Sequence, residues 1–156
     1  MVTKGDYKKI MVPFDGSKFS QKALEIAIEI SKKFSASLYL ITIIDISSVS
    51  PPGALLGSQK KMITKSLDII KSAAKYEAEK ILSEKASICK KNGADVHYEV
   101  LDGVPSDEIL KLIKKWDVDL VVIGSQGLSG FSKIKALGSV SRRVSELASC
   151  PVLISH

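Results

Sequence analysis

Cysteine and histidine are scarce in this chain: Cys89, Cys150, His97 and His156 are the only ones among 156 residues. The cysteines lie far apart and form no CxxC, so no disulfide framework or dithiol redox motif is expected. They read as two reduced, buried thiols of a cytoplasmic protein. No HExxH, paired Cys–His set or carboxylate loop of calcium spacing occurs, which excludes the common zinc and EF-hand sites. Aromatic residues make up 6% of the chain, with a single tryptophan, Trp116. No basic stripe interleaved with aromatics is present, so a nucleic-acid partner is not expected. No apolar run approaches the roughly 20 residues of a membrane span, and no charged-then-apolar leader opens the sequence. A membrane partner is not expected either.

What is present is ordinary for a folded domain. Hydrophobic residues make up 45% and charged residues 26%, near globular averages. The length suits one domain over residues 1–156. The net charge of +6 divides as +2, +3 and +1 over residues 1–50, 51–100 and 101–156. So thin a spread fits a solvated surface better than a polyanion track.

Strand and helix patterns alternate. Ile10 to Pro13 is a short apolar run ending in the turn and cap residues Phe14-Asp15-Gly16-Ser17. Helical spacing follows from 20 to 34, then a doubly covered strand from Leu38 to Ile44, closed by Asp45. Residues 46–60 read as a loop. A long helical period from about Lys61 to Asn92 places Ile63, Leu67, Ile70, Ala74, Ala78, Ile81, Lys85 and Ile88 on its inner stripe, with Gly93 as its stop. Val96, Tyr98 and Val100 alternate with His97 and Glu99 as a half-exposed edge strand. Ser106 is expected to cap the next helix, whose first turn holds Asp107 and Glu108. Leu120 to Ile123 is a buried strand. A helix from about Ser139 to Ala148 and a last strand, Pro151 to Ile154, complete the chain. This β-α alternation predicts a parallel sheet with right-handed crossovers and helices on both faces.

In such sheets, ligands sit beyond the carboxyl ends of the strands. The segment after the fourth strand has the right chemistry. Gly124-Ser125-Gln126-Gly127 is followed by ten residues and then Gly138-Ser139-Val140-Ser141, opening the last helix. Glycines admit a close ligand, and a helix N-terminus offers unpaired amides and partial positive charge. Ser139 and Ser141 add hydroxyls, Lys133, Lys135, Arg142 and Arg143 add charge, and no acid occurs from Gly124 through Arg143. A phosphate site fits this segment; glycines that merely shape a connection are the alternative. Neither GxxxxGK[ST] nor a GxGxxG after the first strand is present, so P-loop and ordinary dinucleotide mechanisms are not expected.

The spaced Gly-x2-Gly and Gly-Ser resemble the nucleotide-binding signature of the universal stress protein family. Ile10 to Ser17 followed by Ala23-Leu24, Gly103-Val104-Pro105, Asp119 to Ser125, and Cys150 to Ile154 resemble that family too, in order along nearly the whole chain. The resemblance implies a Rossmann-like, adenine nucleotide alpha hydrolase-like α/β domain with a five-stranded parallel sheet of order 3-2-1-4-5. It implies ATP or AMP at the switch point. Pro13, Phe14 and Asp15 would line the adenine and ribose side. Ile43 would meet the base through its backbone. Ile123, Gly124, Gly127, Gly130, Gly138, Ser139, Val140 and Ser141 would surround ribose and phosphates. One departure stands out: the spacer before the third glycine holds ten residues where the family usually has nine. If the extra residue, around Gly130 to Lys135, bulges outward, the phosphate cradle survives; if it displaces the loop, γ-phosphate contacts are lost.

The expected function is a nucleotide-dependent switch in stress response. Ordering of residues 46–60 and 124–135 would present a surface to a protein partner. Mg2+ could be carried on the nucleotide phosphates, with no metal site or catalytic residues of the protein's own. At most slow ATP hydrolysis is expected, since Asp15 and Asp45 are the only acids at the rim. The alternative is a scaffold that binds no nucleotide and acts through protein contacts. The apolar last strand leaves an open edge, and the family commonly dimerises there, so a homodimer through the C-terminal strand is expected.

Overall fold

The computed structural model describes residues 7–45, 57–128 and 136–156. Five strands form one parallel sheet: β1 (Lys9–Pro13), β2 (Ser37–Ile44), β3 (Asp95–Asp102), β4 (Leu120–Gly124) and β5 (Val152–Ser155). Their order is β3-β2-β1-β4-β5, the order implied by the resemblance. The connecting helices are α1 (Lys18–Phe34), α2 (Ser58–Lys91), α3 (Pro105–Trp116) and α4 (Ser139–Leu147). The 46–56 part of the expected loop lies outside the described residues.

The sheet has two cores, because alternate residues of each strand face opposite ways. Ile10, Val12, Leu38 and Leu40 pack with Ala23, Leu24 and Ala27 of α1 and Leu82, Ala86 and Cys89 of α2. Met11, Ile41, Val121 and Ile123 pack on the other face with Ile109, Leu112 and Ile113 of α3 and Val144 of α4. Thus α1 and α2 cover one face and α3 and α4 the other. The reversal falls between β1 and β4, the pair whose register places Ile10 beside Leu120 and Met11 beside Val121. Asp119 fixes its entry: one carboxylate oxygen accepts the amides of Lys8 and Lys9, each at 2.9 Å.

The local signals act as expected for α1. Ser17 is its N-cap, its hydroxyl oxygen accepting the Ser20 amide at 3.1 Å, which satisfies one of the orphan donors of the first turn. The start of α3 differs. Val104 is the N-cap, without a side-chain cap, and Pro105 takes the first helical position, where a missing N–H costs nothing. Ser106 is therefore inside the helix and buried. Gly103 has φ +141°, and a Cβ there would stand 2.8 Å from Glu108 Cγ, so the turn into α3 requires glycine.

The inner stripe of α2 is rotated from the expected one. Leu82, Ala86 and Cys89 are buried, whereas Ile70, Ile81 and Ile88 are exposed. Sequence periodicity found the helix and its half-buried Ile63, Leu67, Ala74, Ala78 and Lys85, with Ala78 packed on the core, but misplaced Ile70, Ile81 and Ile88. Cys89 is buried as expected, while Cys150 is only half-buried; both are free thiols. Burial pushes both thiols up from the usual cysteine value, and for Cys150 the nearby Asp119 carboxylate adds to the effect.

Candidate functional site

Beyond the carboxyl ends of β1 and β4 lies a cavity of about 430 Å3, a size typical of small-molecule sites. Three walls form it. The turn after β1 supplies Pro13, Phe14 and Asp15, and the end of β2 supplies Ile41 and Ile43. The end of β4 and its following turn supply Ile123, Gly124, Gln126 and Gly127. The approach to α4 supplies Ala136 through Ser141, and Ser20 of α1 with Pro105 and Ile109 of α3 close the remaining sides.

Backbone ties hold the first wall in place. The Phe14 amide donates to the Ile41 carbonyl at 2.7 Å, and the Thr42 hydroxyl donates to the Phe14 carbonyl at 2.7 Å. Asp15 Oδ1 accepts the Ser17 amide at 2.9 Å, an Asx-type turn that aims the chain into α1. Its other oxygen faces Gly127: a Cβ at that glycine would stand 2.9 Å from Asp15 Oδ2. Among the described lining residues Asp15 is the only charged one.

The third wall is stitched at its base. The Gly138 amide donates to the Ser125 carbonyl at 2.8 Å, and Gln126 Nε2 donates to the Ala136 carbonyl at 3.0 Å. The buried Ser141 hydroxyl donates to the Ser125 carbonyl at 2.9 Å and lies 3.1 Å from the Gly138 carbonyl. The two ends of the long spacer are thus joined, whatever its length. Gly130 and the expected position of the extra residue lie outside the described residues. The first intrahelical bond of α4 runs from Arg142 to the Gly138 carbonyl at 3.0 Å. The amides of Ser139, Val140 and Ser141 therefore lack intrahelical acceptors, and this end of α4 has the chemistry to accept an anion.

Two of the glycines that frame the site differ in origin. A Cβ on Gly124 would fall 2.8 Å from the backbone carbon of Phe19 and 2.9 Å from the Ser20 nitrogen. That glycine is demanded by the packing of α1 on β4. Gly138 has φ −62° and a Cβ there would make only ordinary contacts, 3.5 Å at the nearest. Neither strain nor packing explains it, whereas a ligand approaching the backbone would.

Eleven sequence-predicted site residues meet at this cavity: Pro13, Phe14, Asp15, Ile43, Ile123, Gly124, Gly127, Gly138, Ser139, Val140 and Ser141. Two expectations change. Ser141 has one hydroxyl proton, and it is directed at the Ser125 carbonyl, so the side chain is a tie in the wall more than a free donor. Arg143 turns away: its guanidinium lies 2.7 Å from Asp107 Oδ1 and 3.4 Å from the Ser106 hydroxyl. It bridges α4 to α3 instead of lining the cavity. Lys133 and Lys135 lie outside the described residues. Asp45 is not among the described lining residues. Sequence reading missed Ser20, Ile41, Pro105, Ile109, Gln126, Ala136 and Leu137. Ile41 was accessible, since it shares a strand face with Ile43. Pro105 and Ile109 reach the site only because α3 crosses over the sheet's second face. Among the described residues no group of three His, Cys, Asp or Glu side chains is placed to hold a metal.

A doubly wound parallel sheet with a glycine-framed pocket at its switch point defines a class of Rossmann-like α/β proteins. Within that class the chain belongs to the universal stress protein family, which matches residues 6–156. Universal stress protein MJ0531 of Methanocaldococcus jannaschii is 37% identical over 148 residues, covering 95% of this chain and 81% of the relative. The solved structure of MJ0577 superposes with a TM-score of 0.81 at 25% identity, covering 96% of this chain and 95% of that one. A universal stress protein solved in complex with cAMP superposes with a TM-score of 0.66 at 26% identity, covering 96% and 97%. Among the described residues, no helix is long and apolar enough to cross a membrane.

Proposed function

We propose that this universal stress protein binds an adenine nucleotide, ATP or AMP, in the cavity at the β1/β4 switch point and acts as a nucleotide-dependent switch in stress response. The observation that carries the reading is the start of α4. Three amides without intrahelical acceptors open beside Gly138, whose missing Cβ neither backbone strain nor packing requires. A phosphate at that end completes the amides. The apolar wall of Ile41, Ile43, Ile109 and Ile123 suits a purine, and Asp15 suits ribose hydroxyls. The cAMP complex of a relative supports the adenine assignment. Mg2+ would be held by nucleotide phosphates and water. In this reading the protein works as a binding module, with ATP hydrolysis slow at most.

Calorimetric titration with ATP, AMP and cyclic AMP, with and without magnesium, tests this. Saturable heat with at least one is expected. Absence of heat and of a thermal shift at millimolar ATP with magnesium overturns it. Gly127→Val should abolish the binding, because its side chain would enter the space beside Asp15.

The ten-residue spacer favours a second reading, a scaffold that acts through protein contacts without nucleotide. Partner capture that is indifferent to nucleotide and to Gly127→Val would support it. In either reading β5 is an edge strand, and Val152, Leu153 and Ile154 are only half-buried. Pairing of two β5 edges would satisfy those backbone groups, so a homodimer through this strand is part of the proposal. Light scattering at micromolar concentration should return at least twice the monomer mass.

A further inference from the structure

Helix α2 carries an apolar stripe that its own sheet does not use. Met62, Ile69 and Tyr76 are 70%, 62% and 67% exposed. They recur every seven residues, two turns of helix with a drift of only about 20° per repeat, so they form one straight line. Their line faces away from the buried Leu82, Ala86 and Cys89, which seat α2 on β2 and β3. Isolated exposed apolar residues need no explanation, but an aligned set of large ones marks a contact surface.

The surrounding charges say what fits there. Residues 58–75 hold five lysines and one aspartate; residues 76–84 hold three glutamates and one lysine. The helix is thus basic at one end of the stripe and acidic at the other. Such a surface complements itself when two copies cross antiparallel. We infer that α2 of a second copy of this chain packs on the Met62–Ile69–Tyr76 stripe about a two-fold axis near Ile69. A two-fold contact places residue i opposite residue j and j opposite i. Met62 then meets the second copy's Tyr76, and Ile69 meets its own counterpart. Lys61 lies on the same flank of the stripe as Glu79. In an antiparallel pair equivalent flanks face each other, so Lys61 stands beside the second copy's Glu79 as a flanking ion pair. Ser66 and Ala73, small residues between the stripe positions, let the helices approach. α2 sits at the β3 end of the sheet, opposite β5, so this contact is separate from any pairing of β5 edges.

The test uses the full chain carrying Ile69→Cys. Mild oxidation should give a disulfide-linked dimer on a non-reducing gel in high yield. Lys111→Cys, on the exposed side of α3, and the wild type with its buried Cys89 and half-buried Cys150 should not. By sedimentation, Ile69→Asp should remove one level of association while the far-ultraviolet circular dichroism of the folded chain is retained, and its unfolding midpoint should lose the concentration dependence of the wild type. Glu79→Lys should weaken it by roughly threefold to tenfold, since two flanking pairs turn repulsive, and Lys61→Glu combined with Glu79→Lys should restore it. Ile69→Cys that stays monomeric, or cross-links no better than Lys111→Cys, overturns the inference. So does binding to phosphatidylserine vesicles that is lost in Ile69→Asp while the association state is unchanged, which would assign the stripe to a lipid surface.

Discussion

The Ser141 hydroxyl donates to the Ser125 carbonyl at 2.9 Å, joining the first turn of α4 to the residue that follows β4. This bond fixes where the free amides of α4 point. Ser141→Ala removes the donor but leaves the Ser125 carbonyl its bond from the Gly138 amide. The expected cost in stability is therefore about 1 kcal/mol, with a several-fold weaker nucleotide affinity. Thermal unfolding with and without AMP checks both.

Two of the framing glycines, Gly124 and Gly138, should separate cleanly. Gly124→Ala forces a Cβ against the α1 backbone at 2.8 Å, a clash that cannot be relieved by a side-chain rotation. A loss of roughly 1–3 kcal/mol is expected, read as a lower denaturant midpoint. Gly138→Ala places its Cβ at 3.5 Å from its nearest neighbours. Stability should change little or rise slightly, while nucleotide affinity falls. Equal effects of the two substitutions on stability would contradict this division.

The Arg143–Asp107 pair is half-exposed on both sides. Solvent screening limits such pairs to about 0–1 kcal/mol. Asp107→Asn should therefore barely change the unfolding midpoint at 0.15 M salt. It frees the guanidinium next to the α4 start, and a modest gain in affinity for phosphate-bearing nucleotides over adenosine is expected by calorimetry.

Burial raises the pKa of both thiols. A raised folded-state value leaves little thiolate at neutral pH, so alkylation should be slower than for a free thiol. Half-buried Cys150 should react before buried Cys89. The sign for stability follows: the folded state favours the protonated thiols, so their contribution is complete below the unfolded-state pKa. It is lost as pH rises through the folded values. Thiol titration at stepped alkaline pH, alongside thermal unfolding, checks order and direction.

Alternation of apolar runs with helical periods was enough to predict the parallel α/β sheet, because strands that alternate one by one with helices are joined by crossovers. The order 3-2-1-4-5 came from motif resemblance and is found in the structure. Periodicity misplaced Ile70, Ile81 and Ile88 because α2 has two apolar sectors, and only packing selects which one meets the sheet. Ser106 looked like a cap in sequence, yet Pro105 already satisfies the first helical position.

By itself the sequence determined the elements and the glycine-framed α4 start, while the eleven predicted residues that meet in the cavity were carried over by resemblance to the family's motifs. Those properties are local: turn chemistry, spacing and side-chain type decide them within a few residues. Tertiary structure alone decided that Gly124 serves helix packing, that Asp107 holds Arg143 away from the cavity, and that Pro105 and Ile109 complete its wall. Each depends on the distance between segments far apart in the chain, and that distance is set by how α1, α3 and α4 seat on the sheet.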